Sequence, residues 1–171
     1  DIKRIIKMKL TEGSRFLITG ATSGIGLSLF KYILKLKPSS IFITGNRTNY
    51  TGISNNESCE IKYRSFDLSD NKVITSNQFS QFIKDSKPHY LIHCAGDVLQ
   101  RSSLEQSTFN LYQKSMNLNY HSAHHIIRVL SRENLISFLK SCVFISSISV
   151  RLPHSKDSLH YATAKSALET F

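Results

Sequence analysis

Tyr161 and Lys165 stand four residues apart in "YATAK", so a helix there would place a phenol and an amine on one face, a single turn apart. A phenol of pKa about 10 is a poor acid–base catalyst at neutral pH. A neighbouring ammonium stabilises the phenolate and brings the group towards the working range. Just upstream, "ISSIS" brings Ser146, Ser147 and Ser149 to what reads as a strand end. A hydroxyl there could polarise a substrate oxygen while the phenol moves a proton to it. A YxxxK pair alone occurs on many surface helices, so its meaning depends on the rest of the chain.

The second chemical feature is "TGATSGIG" (19–26), which follows the apolar run "RFLI" and holds three of the seven glycines. Between a strand and a helix, Gly20 can make a tight turn, Gly24 can admit a pyrophosphate to the backbone, and Gly26 can let the helix pack closely on the sheet. Exposed N–H groups and the positive end of the helix then meet phosphate. A cofactor with a free ribose 2′-hydroxyl usually meets an Asp or Glu about 20 residues beyond such a loop. Here "ITGNRT" offers Asn46 and Arg47 instead. A guanidinium fork suits a 2′-phosphate that a carboxylate would repel, so NADP(H) is favoured over NAD(H).

These residues need a frame. Apolar runs of strand length and β-branched or aromatic content occur at "RFLIT" (15–19), "SIFIT" (40–44), "IKYRSF" (61–66), "YLIHC" (90–94) and "CVFIS" (142–146). Helical spacing links them at Ile25, Leu29, Ile33 and Leu36, from Val73 through Phe82, and from about Thr108 to Leu130. The alternation predicts a single α/β domain over 1–171, a doubly wound Rossmann-type parallel sheet with helices on both faces. The polar stretch from Asn49 to Glu60 reads as a surface loop or distorted crossover.

The chain of 171 residues is long enough for one domain with a real core. Twenty-two Lys and Arg against twelve Asp and Glu leave a formal charge of +10. The basic residues are scattered; the densest group, Lys3, Arg4, Lys7 and Lys9, reads as a lead-in, and no nucleic-acid-binding signature accompanies it. Cys59, Cys94 and Cys142 form no CxxC pair, which argues for reduced thiols in the cytoplasm or an organellar matrix. His121, His124 and His125 lack acidic or sulfur neighbours, and no metal is expected. No apolar run approaches the roughly 18 residues of a membrane span, so a soluble chain is expected.

From about Arg15 onwards these motifs resemble the short-chain dehydrogenase/reductase family. "TGATSGIG" is similar to its cofactor loop, "HCAG" (93–96) to its NNAG element, and "FDLSD" places Asp67 and Leu68 at its adenine-contacting position. The resemblance implies a catalytic set of Asn119, Ser147, Tyr161 and Lys165. It implies cofactor contacts from Gly20, Thr22, Ser23, Gly24, Ile25 and Gly26, from Asn46 and Arg47, from Asp67 and Leu68, and from Cys94, Ala95 and Gly96, with Tyr161 and Lys165 serving both tasks. Tyr161 would exchange a proton with the substrate oxygen, Lys165 would hold the nicotinamide ribose, Ser147 would orient the carbonyl, and Asn119 would hold a relay water. Ser146 and Ser149 crowd the strand end and remain alternatives for the serine role; the fourteen-residue spacing from Ser147 to Tyr161 is one longer than is common in the family.

Three departures stand out. Cys94 replaces the second Asn of the NNAG element, which predicts a lost polar contact at the central strand. The loop "ISVRLPHSKDSLH" lacks the family's small, glycine-rich start. The residues after Lys165 stop short of the helix, strands and substrate lid with which family members continue, so the chain reads as the N-terminal two thirds of such a protein. The expected function is reduction of a carbonyl, or oxidation of the matching secondary alcohol, with NADP(H). The substrate is a small molecule, and the basic surface would suit an acidic acyl carrier protein. A homo-oligomer is implied by the resemblance. The competing reading is a non-catalytic NADP(H)-binding sensor or degenerate subunit.

Overall fold

The apolar runs become five parallel strands: β1 (Arg15–Thr19), β2 (Ser40–Gly45), β3 (Glu60–Ser65), β4 (Tyr90–His93) and β5 (Ser141–Phe144). Their order is β3-β2-β1-β4-β5, so the winding reverses between β1 and β4 and opens a crevice at their C-terminal ends. The computed structural model describes residues 13–48, 50–51, 59–103, 105–151 and 158–171. The basic lead-in, most of the 49–60 loop and most of the loop before Tyr161 lie outside them.

Alternate strand residues feed two separate cores, as the two-residue period of a strand requires. Leu17, Phe42 and Leu91 face one way, against Phe79, Phe82, Ile83, Ile126 and Leu130. Phe16, Ile18, Ile41 and Ile43 face the other, against Phe30 and Ile33 of α1 (Gly24–Leu34). Both faces of β1 and β2 are covered, and both strands read as continuous apolar runs for that reason.

The helical expectations hold with three corrections. The stretch from Val73 to Phe82 is two helices, α2 (Asn71–Ile74) and α3 (Asn77–Ser86), because the Ser76 hydroxyl caps the second by accepting from the Phe79 N–H. Ile25 belongs to no core: it is 60% exposed and lies on the crevice side. The stretch from Thr108 to Leu130 is interrupted. There α4 (Phe109–Met116) passes through a π turn, Asn117–His121, into α5 (Ser122–Arg132). A π turn inserts one residue into the ladder and is often found at functional sites. α6 (Leu159–Thr170) packs against α4 and the π turn.

Candidate active site

A cleft of about 550 Å3 opens at the reversal point between β1 and β4. Its first wall is the turn from β1 into α1. Gly20 has φ of +66°, and a Cβ there would lie 2.7 Å from the Ala95 backbone nitrogen, so the position needs glycine on two counts. A Cβ on Gly26 would meet the Gly20 carbonyl oxygen at 2.2 Å, which fixes the close approach of helix and turn. Around Gly24 there is open space, and no side chain caps the first turn of α1. The N-terminal N–H groups therefore face the cleft uncapped, in the arrangement that suits phosphate.

The predicted cofactor residues Gly20, Thr22, Ser23, Gly24, Ile25, Gly26, Asn46, Asp67, Leu68, Cys94, Ala95 and Gly96 all line this cleft, with Tyr161 and Lys165 at its other end. Arg47 does not line it. Arg47 is exposed just beyond the end of β2, where its carbonyl accepts from the Tyr63 hydroxyl. The Asp67 carboxylate is held in a turn by Ser69, whose N–H and Oγ donate at 2.9 and 2.7 Å. Thr44 was not expected: it is fully buried, lines the cleft, and its Oγ1 has no partner among the described residues. A buried hydroxyl without a partner is costly, and its place in the wall fits a polar ligand. Phe66, Leu99, Leu118 and Ser146 also line the cleft and were not in the predicted cofactor set.

The central strand ends in a polar brace supplied by His93. Its Nδ1 lies 2.8 Å from Thr19 Oγ1 and its Nε2 3.5 Å from Ser122 Oγ. Ser122 spends its proton on the Leu118 carbonyl, so it accepts from Nε2–H, and Nδ1 accepts from Thr19. Thr19 Oγ1 also accepts from the Ala95 N–H at 3.2 Å. Burial, aided by the Lys165 charge, holds His93 down to about 3, so the ring is neutral. The polar contacts at this strand end are made by His93, the neighbour of Cys94. Burial pushes the Cys94 thiol up to about 11, which leaves it a protonated wall group.

The π turn places Asn119. Its Oδ1 accepts from the Asp97 N–H at 3.1 Å, and its Nδ2 donates to the carbonyls of Asp97 and Ser115, both at 3.0 Å. Asn119 therefore fastens the Gly96–Asp97 loop to the helix. On α6, Lys165 is 2% exposed and donates to the Ile145 carbonyl at 2.8 Å. Burial lowers it to about 8. Its Nζ lies 5.9 Å from the centroid of the Tyr161 ring.

The serines at the end of β5 differ. Ser146 lines the cleft and donates to Glu169 Oε1 at 2.6 Å. Ser147 lies outside the lining residues; its Oγ accepts from the Ser149 N–H at 3.2 Å and caps the short 3-10 turn Ile148–Val150. Among the described residues there is no His, Cys, Asp and Glu group that could hold a metal. None of the described helices is long and apolar enough to cross a membrane.

Residues 14–171 match the family model described as short chain dehydrogenase. A curated relative, the fatty acyl-CoA reductase of Acinetobacter baylyi, is 28% identical over 166 residues, which cover 94% of this chain and 55% of the relative. The chain thus spans about half the length of that relative. Among solved structures, a short chain dehydrogenase family protein from Francisella tularensis superposes with a TM-score of 0.72 at 21% identity, covering 92% of this chain and 60% of its own. A 4-hydroxyisoleucine dehydrogenase complexed with NADH gives 0.75 at 23% identity, covering 90% and 63%.

Proposed function

Because the chain belongs to the short-chain dehydrogenase family, we propose that it is an NADP(H)-dependent oxidoreductase that reduces a carbonyl, or oxidises the matching alcohol, with Tyr161 as the acid–base group. One observation carries the reading: Tyr161, Lys165 and Gly96, with Asn119 packed against Gly96, share a cleft with an uncapped helix N-terminus. The open space at Gly24 and the unpartnered Thr44 hydroxyl fit a dinucleotide along that cleft. Gly20 to Gly26 would hold its pyrophosphate, and Lys165 its second ribose. Asn46 and Arg47, in place of an acid after β2, favour the phosphorylated form. When bound, the cofactor supplies or accepts the hydride.

The remaining chemistry belongs to the protein's side chains. Near neutral pH Lys165 is mainly an ammonium, since burial brings it only to about 8. Its Nζ stands 5.9 Å from the Tyr161 ring centroid, and the phenol gives its proton to the substrate oxygen and recovers it from solvent. Ser147 orients that oxygen by donating a hydrogen bond. Asn119 holds the Gly96–Asp97 loop, and with it the floor beneath Lys165.

An acyl chain is the favoured carrier of the carbonyl. The curated relative is named for a fatty acyl substrate, and the exposed apolar side chain of Leu99 lines the cleft that Tyr161 also lines. The +10 charge suits an anionic carrier such as coenzyme A or an acyl carrier protein. The test is calorimetric titration with NADPH and with NADH, followed by turnover of decanal with NADPH. The reading expects NADPH binding, and turnover that Tyr161→Phe abolishes without changing the NADPH affinity. Turnover that survives Tyr161→Phe, or no binding of either nucleotide, would overturn it.

A further inference from the structure

We propose that Glu169 is a positioning residue that takes the Ser146 proton and thereby leaves Ser147 as the hydroxyl that meets the substrate oxygen. The inference rests on the carbonyl-reduction reading above. Adjacent serines leave β5, and either could polarise a carbonyl by its type. A hydroxyl has one proton to give. Ser146 gives its proton to Glu169 Oε1 at 2.6 Å, a short side-chain bond. Ser147 Oγ accepts from the Ser149 N–H, and no described residue takes the Ser147 proton. Proximity to the cleft favours Ser146; proton bookkeeping favours Ser147.

Glu169 reaches this place because α6 presents Tyr161, Lys165 and Glu169 on successive turns of one face. Lys165 holds the Ile145 carbonyl, and Glu169, one turn on, holds the Ser146 hydroxyl. Two consecutive residues of the strand exit are thus fastened to two consecutive turns of the helix that carries the phenol. The other Glu169 oxygen lies 3.5 Å from Arg151 Nη2, just past the 3-10 turn that Ser147 caps. One carboxylate therefore spans both sides of Ser147. Arg151 is 76% exposed, so this ion pair contributes little by itself, and the serine bond carries the positioning.

The test is a double-mutant cycle on Ser146 and Glu169, read as decanal reduction with NADPH and as amide hydrogen exchange over 145–151. Expected is a fall in kcat of about tenfold for Glu169→Ala with unchanged NADPH affinity, a similar fall for Ser146→Ala, and no further fall in the double variant, because the two act as one unit. Glu169→Gln keeps an acceptor for Ser146 and should retain most of the rate. Ser147→Ala should fall furthest. Additive losses, an unaltered rate in Glu169→Ala, or a larger fall for Ser146→Ala than for Ser147→Ala would overturn the proposal. Should the wild-type chain fail to reduce decanal, the activity reading is what has failed, and amide exchange decides the positioning role. Faster exchange at Ser147 and Ser149 in Glu169→Ala, with β1 and β4 unchanged, supports it; unchanged exchange there refutes it. If Glu169→Ala does not fold, Glu169→Asp, whose arm is shorter by one methylene, replaces it in the cycle under the same criteria.

Discussion

Lys165 and Asn119 meet over a single missing atom: a Cβ on Gly96 would lie 2.7 Å from Lys165 Nζ and 2.8 Å from Asn119 Oδ1. Both are side-chain ends, so the fold can absorb a methyl group there by moving the groups assigned to the chemistry. Gly96→Ala should lower turnover at least about tenfold, with a stability cost set by the displaced Asn119 and Lys165 hydrogen bonds. Gly20→Ala is the contrast, since its φ is +66° and the obstacle is the Ala95 backbone. That variant should lose stability first. Thermal unfolding alongside NADPH-dependent turnover separates the two outcomes.

Lys165 is held buried at a cost in stability. Its amine is buried with a backbone carbonyl as its hydrogen-bond acceptor, and burial depresses it from 10.5 to about 8. The unfolded chain binds more protons between those values, so this group makes stability rise with pH from about 8 towards 10.5. Lys165→Met removes the buried charge and that rise. Its melting temperature at pH 7 should equal or exceed the wild type's, while turnover falls about a hundredfold or more. In the wild type, the rate should decline as pH passes about 8 and the ammonium is lost.

His93 gives a signature of the same sign in a more acidic window. Its folded value is held down at about 3, against 6.5 when solvated, so the unfolded state binds the extra proton in between. Stability from this group is complete above about 6.5 and is lost as pH falls towards 3, at up to about 1.4 kcal/mol per pH unit. Acid unfolding of His93→Asn should show a shallower slope over that window. An unchanged slope would mean that the ring is not neutral and buried as the Thr19 and Ser122 contacts require.

Arg47 decides the cofactor prediction. It is exposed after β2, outside the residues that line the cleft, where a 2′-phosphate could meet it only at the rim. Arg47→Ala should weaken NADPH about tenfold by calorimetry and leave NADH unchanged, the effect of one charge-assisted contact. Equal affinity for both nucleotides in the wild type would remove Arg47 from the site.

Phe16, Leu17, Ile18, Ile41, Phe42 and Ile43 made the parallel sheet legible, because strands buried on both faces must be apolar at every position. The glycine loop was legible for a similar reason: Gly20 and Gly26 meet local backbone limits that no other residue satisfies. Four-residue spacing was enough to put Tyr161 and Lys165 on one face. Long-range packing decided the rest. No local pattern marks the π turn at Asn119 or the brace from Thr19 through His93 to Ser122, whose partners lie 74 and 29 residues apart. Nor could the sequence divide labour between Ser146 and Ser147, since which hydroxyl keeps its proton depends on Glu169, 23 residues along the chain and brought near only when α6 packs beside β5. Residue type and spacing determined which groups are present; the tertiary structure decided which of their protons and lone pairs are already taken.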